Sequence, residues 1–387
     1  MNIKEFTKKL ELVLKTCPKK TAIMELHKIR FDLSGPMIRM SSTDLTTGLV
    51  TQVHDNYNGN PETQTVFVEK TEIQAILSNL KKAKRMSLSV VDKSLLIETN
   101  MGSYTLKNQI DANKYPLSNL VLDQFCTDEN TPGTPFTVLE CSLSVLQEAL
   151  SFGGHCTASN ENTVQGYCGA RIRVTQNRIT VASQDGWRLS EAISGAITNP
   201  EITDKQDLLI PLHILRLIQS VSTDSPVWIQ TFEHYYRIRD NKNFSLTWAD
   251  DYRDRYRHFI DYDGFFADAP YTDNCDLQAL IGAIAHVLPA AKQIGNRMAI
   301  RADSTKQTLT IESYADGFEL TQTIKADIMQ DWSVAINGQF LLETLKTQPK
   351  KERNVSFYCE GEEMPFYIYP SDKSRQAIIM TLTLRGS

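Results

Sequence analysis

What this chain of 387 residues lacks narrows its chemistry. It has no GxxxxGK[ST] loop for phosphates, no GxGxxG turn, no HExxH zinc pair and no GxSxG nucleophile turn. Its seven cysteines (Cys17, Cys126, Cys141, Cys156, Cys168, Cys275 and Cys359) are odd in number and never spaced CxxC. Neither a zinc site nor a complete disulfide framework is therefore expected, and no metal or other cofactor. The N-terminus lacks an apolar signal core, and no run approaches the length of a membrane-crossing helix, which predicts a soluble, cytoplasmic protein with no membrane partner. A net charge of -5 excludes a surface that is basic all over, but a small formal charge is compatible with a strongly polarised one.

Catalytic groups are equally scarce. Asp250, Asp251 and Asp254 alternate with Arg253, Arg255 and Arg257, the pattern of a charge-compensated surface loop rather than of metal carboxylates. A hydrolase or nuclease built on the Asp251 region is the enzyme alternative. His155-Cys156 joins a base to a nucleophile in sequence, but adjacent loop residues do not create the spatial pairing that such catalysis needs, and no third orienting group is identifiable. Gly153-Gly154 reads as the cap of the preceding helix. No catalytic residue is assigned, and a non-enzymatic binding scaffold is expected.

What is present is a repeat. Strand, turn and strand meet at Ser41 to Leu49, at Ala182 to Ala192 and at Glu312 to Leu320. Each corner leads through a loop to a β-rich segment that runs into an amphipathic helix: Thr65–Val68 with Thr71–Leu80, Leu208–Pro211 with Leu212–Val221, and Ser333–Ile336 with Gly338–Leu345. A strand pair follows each helix. The units recur at roughly 125 to 140 residues, a domain-sized spacing. Each unit also opens with a helix: Ile3–Leu14, ended by Cys17-Pro18; Leu143–Phe152; and Leu277–Leu288, ended by Pro289. Three α+β domains are expected, at 1–131, 132–264 and 265–387.

The chain resembles the β subunit of bacterial DNA polymerase III, the sliding clamp, over nearly its whole length. Val181-Ala182 to Asp185-Gly186-Trp187-Arg188-Leu189 is similar to that family's A-T-D-G-H-R-L, and Ser42-Thr43-Asp44-Leu45 to its T-D-L-E. Ile336-Asn337-Gly338-Gln339-Phe340-Leu341-Leu342 is similar to F-N-x-x-Y-L-L, and Ile379-Met380-Thr381-Leu382-Thr383-Leu384 to V-M-P-M-R-L. The chain departs in having one extra residue before Asp185, Trp187 where His is usual, Asp254 where Pro is frequent, Thr381 for Pro, and Arg385-Gly386-Ser387 beyond the usual end.

The resemblance implies three tandem clamp domains, each with two helices backed by β-sheets, in a head-to-tail homodimeric ring around duplex DNA. Such a ring tethers a replicative polymerase, or, in a specialised clamp of a virus or mobile element, that element's own polymerase. A ring that slides needs cations near phosphates and no reading of bases. Lys8, Lys9, Lys15, Lys19, Lys20, Lys81, Lys82 and Lys84 are assigned to face DNA without regard to its sequence. Tyr104 and Leu106 are expected to meet Val287 and Leu288 of a second copy as apolar patches. Short peptides of the polymerase and the clamp loader are expected in a groove of Tyr167, Gly186, Trp187, Arg188, Leu189, Asp254, His258, Phe259, Ile379, Met380 and Leu382.

Overall fold

The structure is a computed structural model and describes residues 1–55, 62–108, 110, 114–115, 136–158, 168–195, 206–232, 235–241, 244–249, 265–266, 269–315, 317–349, 351–361, 364–369 and 374–383. The elements follow one order three times: a helix, four strands, a second helix and three strands. The first series is α1 (Ile3–Thr16), β1 (Lys28–Ser34), β2 (Met37–Thr43), β3 (Thr47–His54), β4 (Gln64–Glu69), α2 (Lys70–Leu80), β5 (Met86–Val91), β6 (Ser94–Thr99) and β7 (Gly102–Lys107). After β8 (Phe136–Ser142), the second is α3 (Leu143–Gly153), β9 (Gly169–Val174), β10 (Ile179–Gln184), β11 (Arg188–Ser194), β12 (Gln206–Pro211), α4 (Leu212–Ile218), β13 (Pro226–Thr231), β14 (Tyr235–Asp240) and β15 (Phe244–Ala249). After β16 (Asp273–Asp276), the third is α5 (Leu277–Ala291), β17 (Arg297–Asp303), β18 (Thr308–Ala315), β19 (Phe318–Asp327), β20 (Trp332–Asn337), α6 (Gly338–Lys346), β21 (Asn354–Tyr358), β22 (Phe366–Tyr369) and β23 (Arg375–Ile379). The α+β expectation and its repeated unit are both met.

The chain forms two compact units. One comprises Met1–Leu143 and Arg216–Asp254, the other Ser144–Leu215 and Arg255–Ser387. The first holds an antiparallel sheet ordered β4-β1-β2-β3-β15-β14-β13-β8 and a smaller one ordered β5-β6-β7; the second holds the sheet β12-β9-β10-β11-β23-β22-β21-β16-β19-β18-β17-β20. Alternate residues are buried along β17, whereas β3 and β10 are buried almost throughout, and the helices bury an apolar stripe. In α1 that stripe is Phe6, Leu10 and Val13, all with no exposed area.

One helix differs from expectation in two respects. Pro289 does not stop α5, which runs on to Ala291 before a 3-10 turn, Lys292–Ile294, and Gly295 at φ 71°. Proline costs a helix one hydrogen bond, which near its C-terminus weakens only the last turn. The Leu277–Ile294 stretch is also, contrary to the sequence reading, long and apolar enough to cross a membrane by composition. Its Leu277, Leu280, Ile284, Val287 and Leu288 are buried, as in a core helix, packed against β18 and β19.

Candidate partner groove

The second corner joins β10 to β11, which pair from Ile179↔Ser194 to Gln184↔Leu189. Asp185 makes the turn: its Oδ1 accepts from Trp187 N at 3.0 Å and from Arg188 N at 3.0 Å, and its backbone N–H donates to Arg188 O at 3.2 Å. Gly186, at φ 89°, takes the left-handed conformation that side chains resist. Trp187 therefore projects from the tip, 58% exposed. Trp187 O then accepts from Met380 N at 2.8 Å, which carries the chain on from the β11–β23 pairing, Leu189↔Ile378 and Arg188↔Ile379.

Strand alternation decides which of these side chains share a face. Leu189 and Ile378 form one cluster with Ala182, and half-buried Phe266 and Tyr367 pack against it. Successive registers, Gln184↔Leu189, Leu189↔Ile378, Ile378↔Tyr367 and Tyr367↔Tyr358, place these residues in one row across five strands. Ile379, assigned to the groove from sequence, has no exposed area and lies on the face opposite Ile378, because successive strand residues point apart. Met380, on the Ile378 face, is 42% exposed and forms a rim with Trp187. Leu382 is half-buried and its N–H donates to Ala335 O at 2.8 Å, which ties the last described turn of chain to β20. Tyr167, Asp254, His258 and Phe259 lie outside the described residues.

Arg188 points the other way. Its Nε donates to Asp185 Oδ2 at 2.8 Å, one terminal nitrogen to Glu343 Oε2 at 2.6 Å, and its guanidinium lies 4.2 Å from the centre of the Phe340 ring. It braces the corner against α6. Beneath it, His155 Nδ1 lies 2.6 Å from Phe152 O and Nε2 2.9 Å from Thr344 Oγ1. Cys156 Sγ is 3.3 Å from His155 Nε2, the spacing of a nucleophile and base. Burial, however, drives the thiol up to about 12 and the imidazole down to about 4, so both stay neutral and the thiolate that a nucleophile requires is disfavoured. The described residues hold no group of three or more His, Cys, Asp or Glu placed to bind a metal, and Asp250, Asp251 and Asp254 are outside them. Gly153-Gly154 has neither residue at positive φ. Instead a Cβ on Gly153 would lie 2.2 Å from Val181 O, so this glycine permits close approach of α3 to β10.

No protein-family profile and no curated protein sequence matches the chain. Among solved structures it is similar to the DNA polymerase III β subunit of Thermotoga maritima, at 18% identity and a TM-score of 0.81 over 99% of this chain and 98% of that one. It is also similar to a ligand-bound DNA polymerase sliding clamp of Pseudomonas aeruginosa (18% identity, TM-score 0.77, 99% of each chain) and to a sliding clamp of Bartonella birtlesii bound to griselimycin (15%, 0.80, 99% of this chain and 98% of that one). The chain has the sliding-clamp fold.

Within that clamp fold, Lys8, Lys15, Lys19, Lys20, Lys81, Lys82 and Lys84 are exposed and Lys9 is half-buried. Three of them are engaged within the chain: Lys9 Nζ donates to Glu5 Oε1 at 2.7 Å and Gln52 O at 2.8 Å, Lys15 Nζ to Ser220 Oγ at 2.8 Å, and Lys81 Nζ to Glu11 Oε1 at 2.5 Å. Lys8, Lys9 and Lys15 border a cavity of about 760 Å³ together with Lys4 and Ser220 to Ser225. The expected apolar patches for a second copy are not open: Leu106, Val287 and Leu288 are at most 7% exposed, because each fills its own domain's core, and Tyr104 is half-buried. What β7 and β19 do present is backbone. β7 pairs with β6 alone, and from Phe318 to Lys325 β19 pairs with β18 alone among the described residues.

Proposed function

We propose that the chain is a DNA sliding clamp: three domains, 1–131, 132–264 and 265–387, of which two copies close head to tail into a ring around duplex DNA and tether a polymerase. The recurring joint carries this reading. The strand after the first corner, β3, pairs with the last strand of the second series, β15; the strand after the second corner, β11, pairs with the last strand of the third, β23. By the same rule β19 requires a last strand, and β7 of the first series is the one left over. Among the described residues of one chain these two edges have no strand partner, and unpaired strand edges attract one another. A second copy supplies both joints at once and closes the assembly after two chains, so it does not grow into a filament.

The exposed lysines then contact phosphates without reading bases, and short peptides of the polymerase and the clamp loader lie against exposed Trp187 and Met380 at the rim of the Leu189–Ile378 cluster. Apolar anchors over such a row concentrate binding energy in a few side chains. The test is topological. Protein diluted to dissociate it is concentrated with nicked circular DNA and passed over a large-pore column. A clamp co-elutes with the circle and is released when the circle is cut once; retention on linear DNA, or no retention on either form, overturns the reading.

A further inference from the structure

The row of groove residues does not end at Ile378. Tyr367 and Tyr358 continue it, with ring centres 5.8 Å apart; Tyr369 stacks beside Tyr367 at 6.2 Å and an interplanar angle of 5°, and Tyr271 meets Tyr358 edge-on at 5.0 Å. Tyr367 and Tyr271 are half-buried and so keep part of their rings open to solvent. The row stops at exposed Glu360, which accepts a hydrogen bond from Tyr358 Oη. The charge of this carboxylate reaches Tyr367: burial first, then Glu360, pushes the Tyr367 hydroxyl above its ordinary range. Aromatic faces beside a carboxylate that has no cation partner among the described residues suit a cation and repel an anion.

We infer that the tyrosine ladder ending at Glu360 is a second subsite of the groove, which takes a Lys or Arg side chain flanking the apolar anchors of the partner peptide. The inference rests on the groove proposed above and adds a charge preference to it. Continuity decides the occupant, since Tyr367 packs on the same Leu189–Ile378 cluster that would receive the anchors, and a chain lying across that cluster passes on to the rings. The peptide's apolar residues give affinity and its flanking cation gives selection.

The test is fluorescence anisotropy with Gln-Leu-x-Leu-Phe peptides that carry Lys, Glu or norleucine flanks at either end, titrated into the full chain, Glu360→Gln and Tyr367→Ser. With Lys at one end, binding should tighten about three- to fivefold over norleucine, Glu there should weaken it, and raised salt should narrow the gap. Glu360→Gln should abolish the preference while the norleucine peptide binds as before, which separates the subsite from a folding defect. Equal affinity for Lys and Glu flanks overturns the subsite and leaves the groove standing. If no peptide of the series binds, the groove fails and the subsite with it.

Discussion

The first and second corners are one device with two kinds of tip. In both, an aspartate side chain makes the turn: Asp44 Oδ1 accepts from Thr46 N at 3.0 Å and Thr47 N at 2.6 Å, as Asp185 Oδ1 does from Trp187 N and Arg188 N. In both, the next residue is left-handed, Leu45 at φ 77° and Gly186 at φ 89°. In both, a buried serine two residues before the aspartate donates to a carbonyl at a helix end, Ser42 Oγ to Val13 O at 2.7 Å and Ser183 Oγ to Gly153 O at 2.6 Å. The tips then part: Thr46 stands where Trp187 stands, and Thr47, 1% exposed, where Arg188 reaches to Glu343. What the corners share holds the fold, and what differs is available for recognition.

The largest expected effect lies in the shared helix-to-strand contact, at its tightest point. Gly153→Ala places a methyl against Val181 O and should lower the stability of the second unit by about 3 kcal/mol, since backbone cannot step aside as a side chain can. Chemical denaturation followed by circular dichroism measures this. A loss below about 1 kcal/mol would show that α3 does not rest on β10 so closely.

His155 marks the second corner by pH. Unfolded, an imidazole protonates near pH 6.5, whereas in the fold burial holds this one down to about 4. Stability is complete above pH 6.5 and falls as the pH drops through this window toward 4, by about 2 to 3 kcal/mol at the lower end. His155→Gln should flatten this decline. Parallel pH profiles for variant and parent would remove His155 from the account.

A smaller effect tests the serines against each other. Ser42→Ala and Ser183→Ala should each cost about 1 to 2 kcal/mol in urea unfolding. Ser183 should be the dearer, because its oxygen also accepts from Cys156 N at 3.1 Å and that buried donor is left without its partner, whereas the Thr16 hydroxyl, 2.6 Å from Ser42 Oγ, keeps its bond to Val13 O at 2.9 Å. Equal losses would mean that the Cys156 N–H finds another acceptor.

The three corners and their helices could be read from sequence because each rests on local chemistry: turn residues, a 3.6-residue stripe, a cap. The proposed groove was legible only in part. Trp187, Leu189 and Met380 stand out as a turn tip and strand residues, but choosing Ile378 over Ile379 requires knowing that Leu189 pairs with Ile378, a contact between residues far apart in the chain. Tyr367 was missed for the same reason, although Tyr367 and Tyr369 two residues apart give the signal of one strand face. That Arg188 also braces the corner could not be read, because its partners Phe340 and Glu343 lie on a distant helix. Leu106, Val287 and Leu288 are apolar for their own core, and no sequence pattern separates that from an apolar contact with a second copy.

The smallest effect on stability should accompany the clearest one on binding. Trp187 is 58% exposed and touches the fold chiefly through its backbone, so Trp187→Ala should leave the unfolding free energy unchanged within about 0.5 kcal/mol. The same variant should bind a Gln-Leu-x-Leu-Phe peptide about tenfold more weakly, equivalent to about 1.4 kcal/mol, because a large flat ring at the rim of an apolar row is the kind of side chain on which peptide affinity concentrates. Thr46→Ala, at the matching place in the first corner, should change neither quantity. The parent protein carries its own reporter: of its four tryptophans Trp248 and Trp332 are at most 6% exposed and Trp228 is half-buried on β13, so the part of an emission shift on peptide addition that Trp187→Ala removes comes from Trp187. If Trp187→Ala binds as the parent does, the exposed ring is no part of the peptide site, and the difference between the two tips has another cause. If Thr46→Ala weakens binding as much as Trp187→Ala, the two corners are equivalent in recognition as well as in structure.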